Sequence, residues 1–225
     1  MAIQLNESKT TLALATAMVL MAGALARTVA SAAPIPSNPG TGLPATEATV
    51  QTAVFAGGCF WGVDAVFKHV KGVSEVESGY AGGNADTAQY EKVSEGDTGH
   101  AEAVRVRFNP AQVTYQQLLH VFFSVAHDPT QLNRQGPDSG SQYRSAIFYT
   151  DAEQQKVTQS YIQQLTAAHT FSKTIVTQVV PLKAFYPAET YHQNYLALHP
   201  NQPYIVFNDM PKLANLHKQF PALYQ

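Results

Sequence analysis

The sequence predicts one α/β or α+β domain built on a central sheet. Stretches with strand alternation and stretches with helical spacing take turns along residues 51–225, and no internal repeat interrupts them. The chain has 225 residues, 45% of them hydrophobic, enough for one sizeable core. Only 13% are charged, and 14 Lys and Arg against 16 Asp and Glu give a net charge of -2. That balance excludes a basic nucleic-acid footprint and a polyacidic tail.

The elements follow in order. "TAVFAGG" reads as a short buried strand closed by Gly57-Gly58. Phe60, Val63, Val66, Phe67 and Val70 then fall at helical spacing, with Lys71-Gly72 as the stop. This places Cys59 at a strand-to-helix junction. Residues 79–100 are glycine-rich and read as a long functional loop. "AEAVRVRF" alternates, with Glu102, Val104, Val106 and Phe108 on one face and Ala103, Arg105 and Arg107 on the other. Thr114 and Gln117 form a capping box ahead of a helix burying Leu118, Leu119, Phe122, Phe123 and Ala126. A polar loop and the strand "YRSAIFYT" follow. Thr150 and Glu153 are expected to cap a helix whose inner stripe is Val157, Tyr161, Leu165 and Ala168. "TIVTQVVPL" reads as a strand, Pro187 as the opening of a short helix, and the chain from Pro203 onward as irregular. Strand order does not follow from this pattern.

The first 50 residues stand apart from the domain. Residues 10–26 are apolar and uncharged, and Ala30-Ser31-Ala32 fits a small-x-small cleavage rule. Residues 1–32 read as a signal peptide, the alternative being an uncleaved helix that anchors the protein. Residues 33–50, with four prolines, read as a flexible linker. The expected location is therefore the periplasm or the exterior, with no stable membrane insertion once the signal is cleaved. Cys59 is the chain's one cysteine, so no internal disulfide can form, and no zinc-binding cysteine pair or H-E-x-x-H spacing occurs.

Three features carry chemistry. Cys59 at a helix start has unpaired N–H groups beside it, which is expected to lower its pKa and sharpen its nucleophilicity. The competing reading is a small buried hydrophobe. Phe60 and Trp61 follow directly, and a tryptophan outside the core stripe suggests an aromatic pocket beside the thiol. Glu102 puts a carboxyl on an apolar strand face, where burial would keep it protonated as a general acid. Its alternative is a strand end that reaches solvent. Tyr80, Tyr90 and Tyr143 sit in or beside loops and could donate to an oxygen held in a pocket. His100 or His192 could instead activate Cys59 as in a thiol hydrolase. A non-enzymatic binding domain with a structural cysteine is the third reading.

"GGCFWG" (57–62), "GYAGG" (79–83), "YEKV" (90–93), "GHAEAV" (99–104), "HDPTQLNRQGPDSGSQYRS" (127–145) and "YPAETYHQNY" (186–195) together resemble the peptide-methionine (S)-S-oxide reductase family, MsrA. The match runs in order from about residue 52 to 200. The resemblance implies a two-layer α/β sandwich on a mixed sheet. It implies that Cys59 attacks the sulfoxide sulfur, that Glu102 protonates the oxygen, and that Tyr90 and Tyr143 donate hydrogen bonds to it. Phe60 and Trp61 would hold the substrate methyl group, and Asp138 would be a second carboxylate that organises water. No cofactor or metal is implied. Many members carry a resolving cysteine near the C-terminus after a Gly-Tyr pair, and here Ile205 stands at that place. Cys59 sulfenic acid would therefore be resolved by an external thiol, such as a thioredoxin-like protein or a small thiol. The substrate would be methionine sulfoxide, free or in oxidised proteins, and no nucleic acid is involved.

Overall fold

The computed structural model describes residues 49–225; the expected signal peptide and residues 33–48 of the expected linker lie outside them. In chain order the elements are β1 (Gln51–Gly57), α1 (Phe60–Lys68), β2 (Val73–Ala81), α2 (Tyr90–Val93), β3 (Ala101–Phe108) and α3 (Tyr115–Val121). Two short strands follow, β4 (Arg134–Gln135) and β5 (Asp138–Ser139), then β6 (Ser145–Tyr149), α4 (Ala152–Ala167), β7 (Gln178–Pro181) and β8 (Phe185–Pro187). The chain continues through α5 (Tyr195–Leu198), a π-helical turn (Ile205–Asp209) and α6 (Met210–Gln219).

Six strands form a mixed sheet in the order β7-β6-β1-β3-β2-β8. All neighbours are antiparallel except β6 and β7. One sheet face carries Phe55, Val104, Val106 and Ile147 into a core completed by Phe67 of α1, Leu119 of α3, Tyr161 of α4 and Leu216 of α6. The opposite face is lined with small residues (Ala56, Ala81, Ala101, Ala103 and Ala146), over which Phe185 and Leu182 pack. The architecture is the two-layer α/β sandwich that the sequence resemblance implies.

The alternation in β3 holds. Glu102, Val104, Val106 and Phe108 are buried, while Arg105 and Arg107 pair across strands with Glu77 and Glu75 of β2. Those glutamates and Gly79 make β2 polar in sequence, and the strand runs on to Ala81, into the stretch expected as a loop. Tyr80, expected in a loop, is on that strand and fully buried, its hydroxyl donating to Glu189 at 2.8 Å. The capping box of α3 is present as expected, Thr114 Oγ1 accepting from the Gln117 N–H and Gln117 answering to the Thr114 N–H.

Four expectations need correction. The N-cap of α4 is Asp151, not Thr150: its carboxylate accepts the Gln154 N–H at 2.8 Å, and a carboxylate at a helix start also suits the dipole. That start puts Thr158 on the buried stripe and leaves Ala168 exposed. Strand β7 spans only the second half of "TIVTQVVPL". Pro187 ends the edge strand β8 instead of opening a helix, a place where a missing N–H is tolerated. Finally, residues 205–219 are helical. Pro211 lies in the first turn of α6, directly after the π-helical turn, whose irregular backbone accommodates a residue without an N–H. The helix buries one narrow line of residues, ending in the fully buried Leu216, so its polar composition hid it.

Candidate active site

The chain leaves β1 through Gly57-Gly58 and enters α1 with Cys59 as the N-cap residue. Both glycines are required by close approach. Gly58 has φ +91, and a Cβ there would lie 2.5 Å from the Gln135 side chain; one on Gly57 would meet the His127 ring at 2.9 Å. The tight turn presses the loop 128–143 against the helix start.

Glu102 lies on the neighbouring strand with Tyr80 as its cross-strand partner, 3% exposed. Its Oε2 accepts the backbone N–H of Phe60 at 3.0 Å. Burial holds the carboxyl protonated, pushing its pKa from 4.5 up to about 8. The Phe60 hydrogen bond acts against this, and the charge of Asp138 reinforces it.

Cys59 is 8% exposed. The expectation of a lowered thiol pKa is overturned. Burial pushes the thiol well up, and Glu102 and Asp209 add to this; the Trp61 backbone N–H and Lys212 oppose the rise without prevailing. One helix turn's N–H groups are outweighed by removal from water. The resting thiol is therefore protonated.

The seven residues to which the resemblance gives roles line one cavity of about 190 Å³: Cys59, Phe60, Trp61, Tyr90, Glu102, Asp138 and Tyr143, with Tyr204 as an eighth; Tyr80, His100 and His192 do not line it. Burial, then the nearby carboxylates, raises the pKa values of Tyr90 and Tyr143, so both hydroxyls stay available as donors. Trp61 lies flat on Tyr195, ring centroids 3.7 Å apart, and meets Tyr204 edge-on at 6.0 Å. The arrangement offers a nucleophilic sulfur, a neutral acid and two hydroxyl donors around an aromatic hollow.

His100 and His192 each have a ring nitrogen hydrogen-bonded away from the thiol. His100 accepts the Gly83 N–H at 3.2 Å through Nδ1, and its Nε2 lies 2.9 Å from the Asn84 carbonyl. His192 Nδ1 accepts the Trp61 indole N–H at 3.1 Å. Neither ring lines the cavity with Cys59, and the family assignment below does not favour the hydrolase reading.

The family model described as "Peptide methionine sulfoxide reductase" matches residues 51–223. The chain belongs to the peptide methionine sulfoxide reductase family. A relative from Mesorhizobium japonicum, peptide methionine sulfoxide reductase MsrA 2, is 60% identical over 174 residues, covering 77% of this chain and 89% of the relative. The MsrA 2 protein of Synechocystis is 51% identical over 175 residues, 78% of this chain and 82% of its own length. Among solved structures, reduced Mxr1 from Saccharomyces cerevisiae matches with a TM-score of 0.63 and 33% identity, over 70% of this chain and 90% of its own. Methionine sulfoxide reductase A of Corynebacterium diphtheriae matches with 0.59 and 36%, over 68% and 76%.

Sequence reasoning missed three residues of the reductase's site. Tyr204 lines the cavity and its hydroxyl donates to Asp138 Oδ2; it lay in a stretch read as irregular. Glu189 accepts the Tyr90 backbone N–H at 2.9 Å and the Tyr80 hydroxyl, fixing α2 against β2. It stands inside the motif "YPAETYHQNY", a signal available in the sequence but given no role. Lys212 reaches the start of α1 from α6 and pairs with the fully buried Asp209 at 3.0 Å. Nothing in its sequence neighbourhood marks it.

Proposed function

We propose that this reductase acts on methionine S-sulfoxide, with Cys59 as nucleophile and Glu102 as acid. The observation that carries this is the placement of a buried, neutral carboxyl in the same small aromatic cavity as the chain's one thiol. Sulfoxide oxygen is a poor leaving group, so its departure from sulfur needs a proton in the same step. Glu102 supplies that proton, and Tyr90 and Tyr143 donate hydrogen bonds to the oxygen. As the Cys59 sulfur takes over the oxygen, its own thiol proton passes to the Glu102 carboxylate. The substrate sulfur gains two electrons and leaves as a thioether; the cysteine sulfur loses two and becomes a sulfenic acid. Phe60 and Trp61 pack against the S-methyl group, and Asp138, held by Tyr204, orders water beside the oxygen.

The sulfenic acid is returned to thiol by an external thiol, since the chain holds no second cysteine. We further propose that residues 1–32 direct export, so that the reductant belongs to an oxidising compartment; the mass of the mature protein from the producing cell tests this directly. The decisive experiment on function is single-turnover reduction of S and R epimers of a methionine sulfoxide peptide without added thiol. One equivalent of methionine from the S epimer alone is expected, and none with Cys59→Ser in a folded protein. Equal rates for both epimers, or activity in the Cys59→Ser protein, would overturn the reading.

A further inference from the structure

Cys59 lines two cavities. Besides the aromatic one of about 190 Å³ it lines a second, of about 140 Å³, which shares only Cys59, Asp138 and Tyr204 with the first. The second is walled by the Gln135–Pro137 turn on one side and by Asn208 and Lys212 of the C-terminal segment on the other. Lys212 is anchored there. Its ammonium lies 3.0 Å from Asp209, and a Cβ on Gly62 would stand 2.6 Å from Lys212 Nζ and 2.1 Å from Asp209 Oδ1. The pair therefore rests directly on the first turn of α1, three residues beyond the thiol. Asp209 is fully buried, whereas the lysine lines the cavity.

We propose that this second cavity is the reductant's subsite, where an external thiol on a slender stem reaches Cys59 sulfenic acid and Lys212 attracts the negative charge that the thiol carries. The inference rests on the function proposed above and on the geometry of displacement at sulfur. An incoming sulfur attacks along the line of the bond that breaks, from the side opposite the leaving oxygen. That oxygen came from the substrate and lies in the aromatic cavity with Glu102, Tyr90 and Tyr143. The second cavity, which shares Cys59 but none of Glu102, Tyr90 and Tyr143, gives a thiol an approach to the sulfur away from that oxygen. In the first step a thiolate forms an S–S bond to Cys59 while the S–O bond breaks, and the hydroxide leaves as water with the Glu102 proton. In the second step another thiolate attacks the bound reductant's sulfur and releases Cys59 as a thiolate, and the two protons that the thiols gave up on ionising return through water to Glu102 and Cys59. Two thiols become one disulfide, and the cysteine sulfur regains the two electrons it gave to the substrate.

The test separates the half-reactions. Enzyme is first oxidised with one equivalent of sulfoxide peptide, and methionine release is measured. The isolated sulfenic acid is then mixed with cysteamine or 2-mercaptoethanesulfonate, thiols of similar length and opposite charge, and its loss is followed by mass. The native protein is expected to favour the anionic thiol. Lys212→Met should lower that preference about tenfold, and Lys212→Arg should retain it. Asn208→Trp, which fills the cavity, should slow both thiols at least about tenfold more than it slows methionine release. If Lys212→Met does not fold because Asp209 is left alone, Lys212→Met with Asp209→Asn replaces it. An unchanged charge preference, or an Asn208→Trp protein whose thiol step keeps pace with its methionine release, overturns the proposal. Failure of the native protein to release methionine at all would instead overturn the function on which it rests.

Discussion

Replacing Glu102 by glutamine removes the proton and keeps the shape. The carboxyl is 3% exposed, and its pKa rises from 4.5 to about 8. That difference corresponds to about 5 kcal/mol of preference for the neutral form. At pH 7 about nine in ten molecules then carry the acid, and at pH 9 about one in ten. The rate of the single-turnover methionine burst should therefore fall as pH rises through 8. In Glu102→Gln the burst should be slower by roughly 10²–10⁴-fold and lose that limb. Stability supplies a second readout with a definite sign. Between pH 4.5 and 8 the folded protein keeps a proton that the unfolded chain has lost. The group's contribution is thus fully present below 4.5 and is lost as pH rises towards 8, by up to about 5 kcal/mol. Urea unfolding across this range should show a pH slope that is shallower in Glu102→Gln than in the native protein, Asp64, raised to about 6, supplying part of what is left. A burst retained within about tenfold in the variant would refute the reasoning. So would a limb near pH 8 that survives the substitution, or a native rate that climbs through pH 8.

Other outcomes follow from neighbouring contacts. Gly58→Ala puts a Cβ on a residue at φ +91 and 2.5 Å from Gln135; the left-handed conformation alone costs about 1–2 kcal/mol, so the urea midpoint should fall by more than that implies. Trp61 is the one tryptophan in the chain, and its indole N–H donates to His192 Nδ1, an acceptor only while the ring is neutral. Burial lowers the His192 pKa below 6.5, so Trp61 emission should stay constant down through pH 6.5 and change only in more acid solution. A transition at or above 6.5 would contradict this. His192→Ala should shift the emission at neutral pH and raise KM for sulfoxide more than it lowers kcat, because the aromatic wall loses its tie.

The sequence alone carried the parts of the site that depend on neighbours along the chain. A strand closed by two glycines, a helix stripe beginning at Phe60, and a carboxyl in phase with Val104 and Val106 are local patterns. Each placed its residue on the correct face. The thiol's ionisation was not local. Its pKa is decided by how much protein surrounds Cys59 and by Glu102 and Asp209, which approach from distant elements, so the helix-start argument gave the wrong direction. The same reason hid Tyr204 and Lys212. Tyr204 directly precedes, and Lys212 lies on, a helical segment of polar composition, and they reach the thiol only because α6 packs on α1 through Gly62. Chemistry that rests on residue type and spacing was readable from the chain. The second cavity, the anchored lysine and the protonated thiol came into being when segments about 150 residues apart met, since burial and Coulomb fields depend on distance through space.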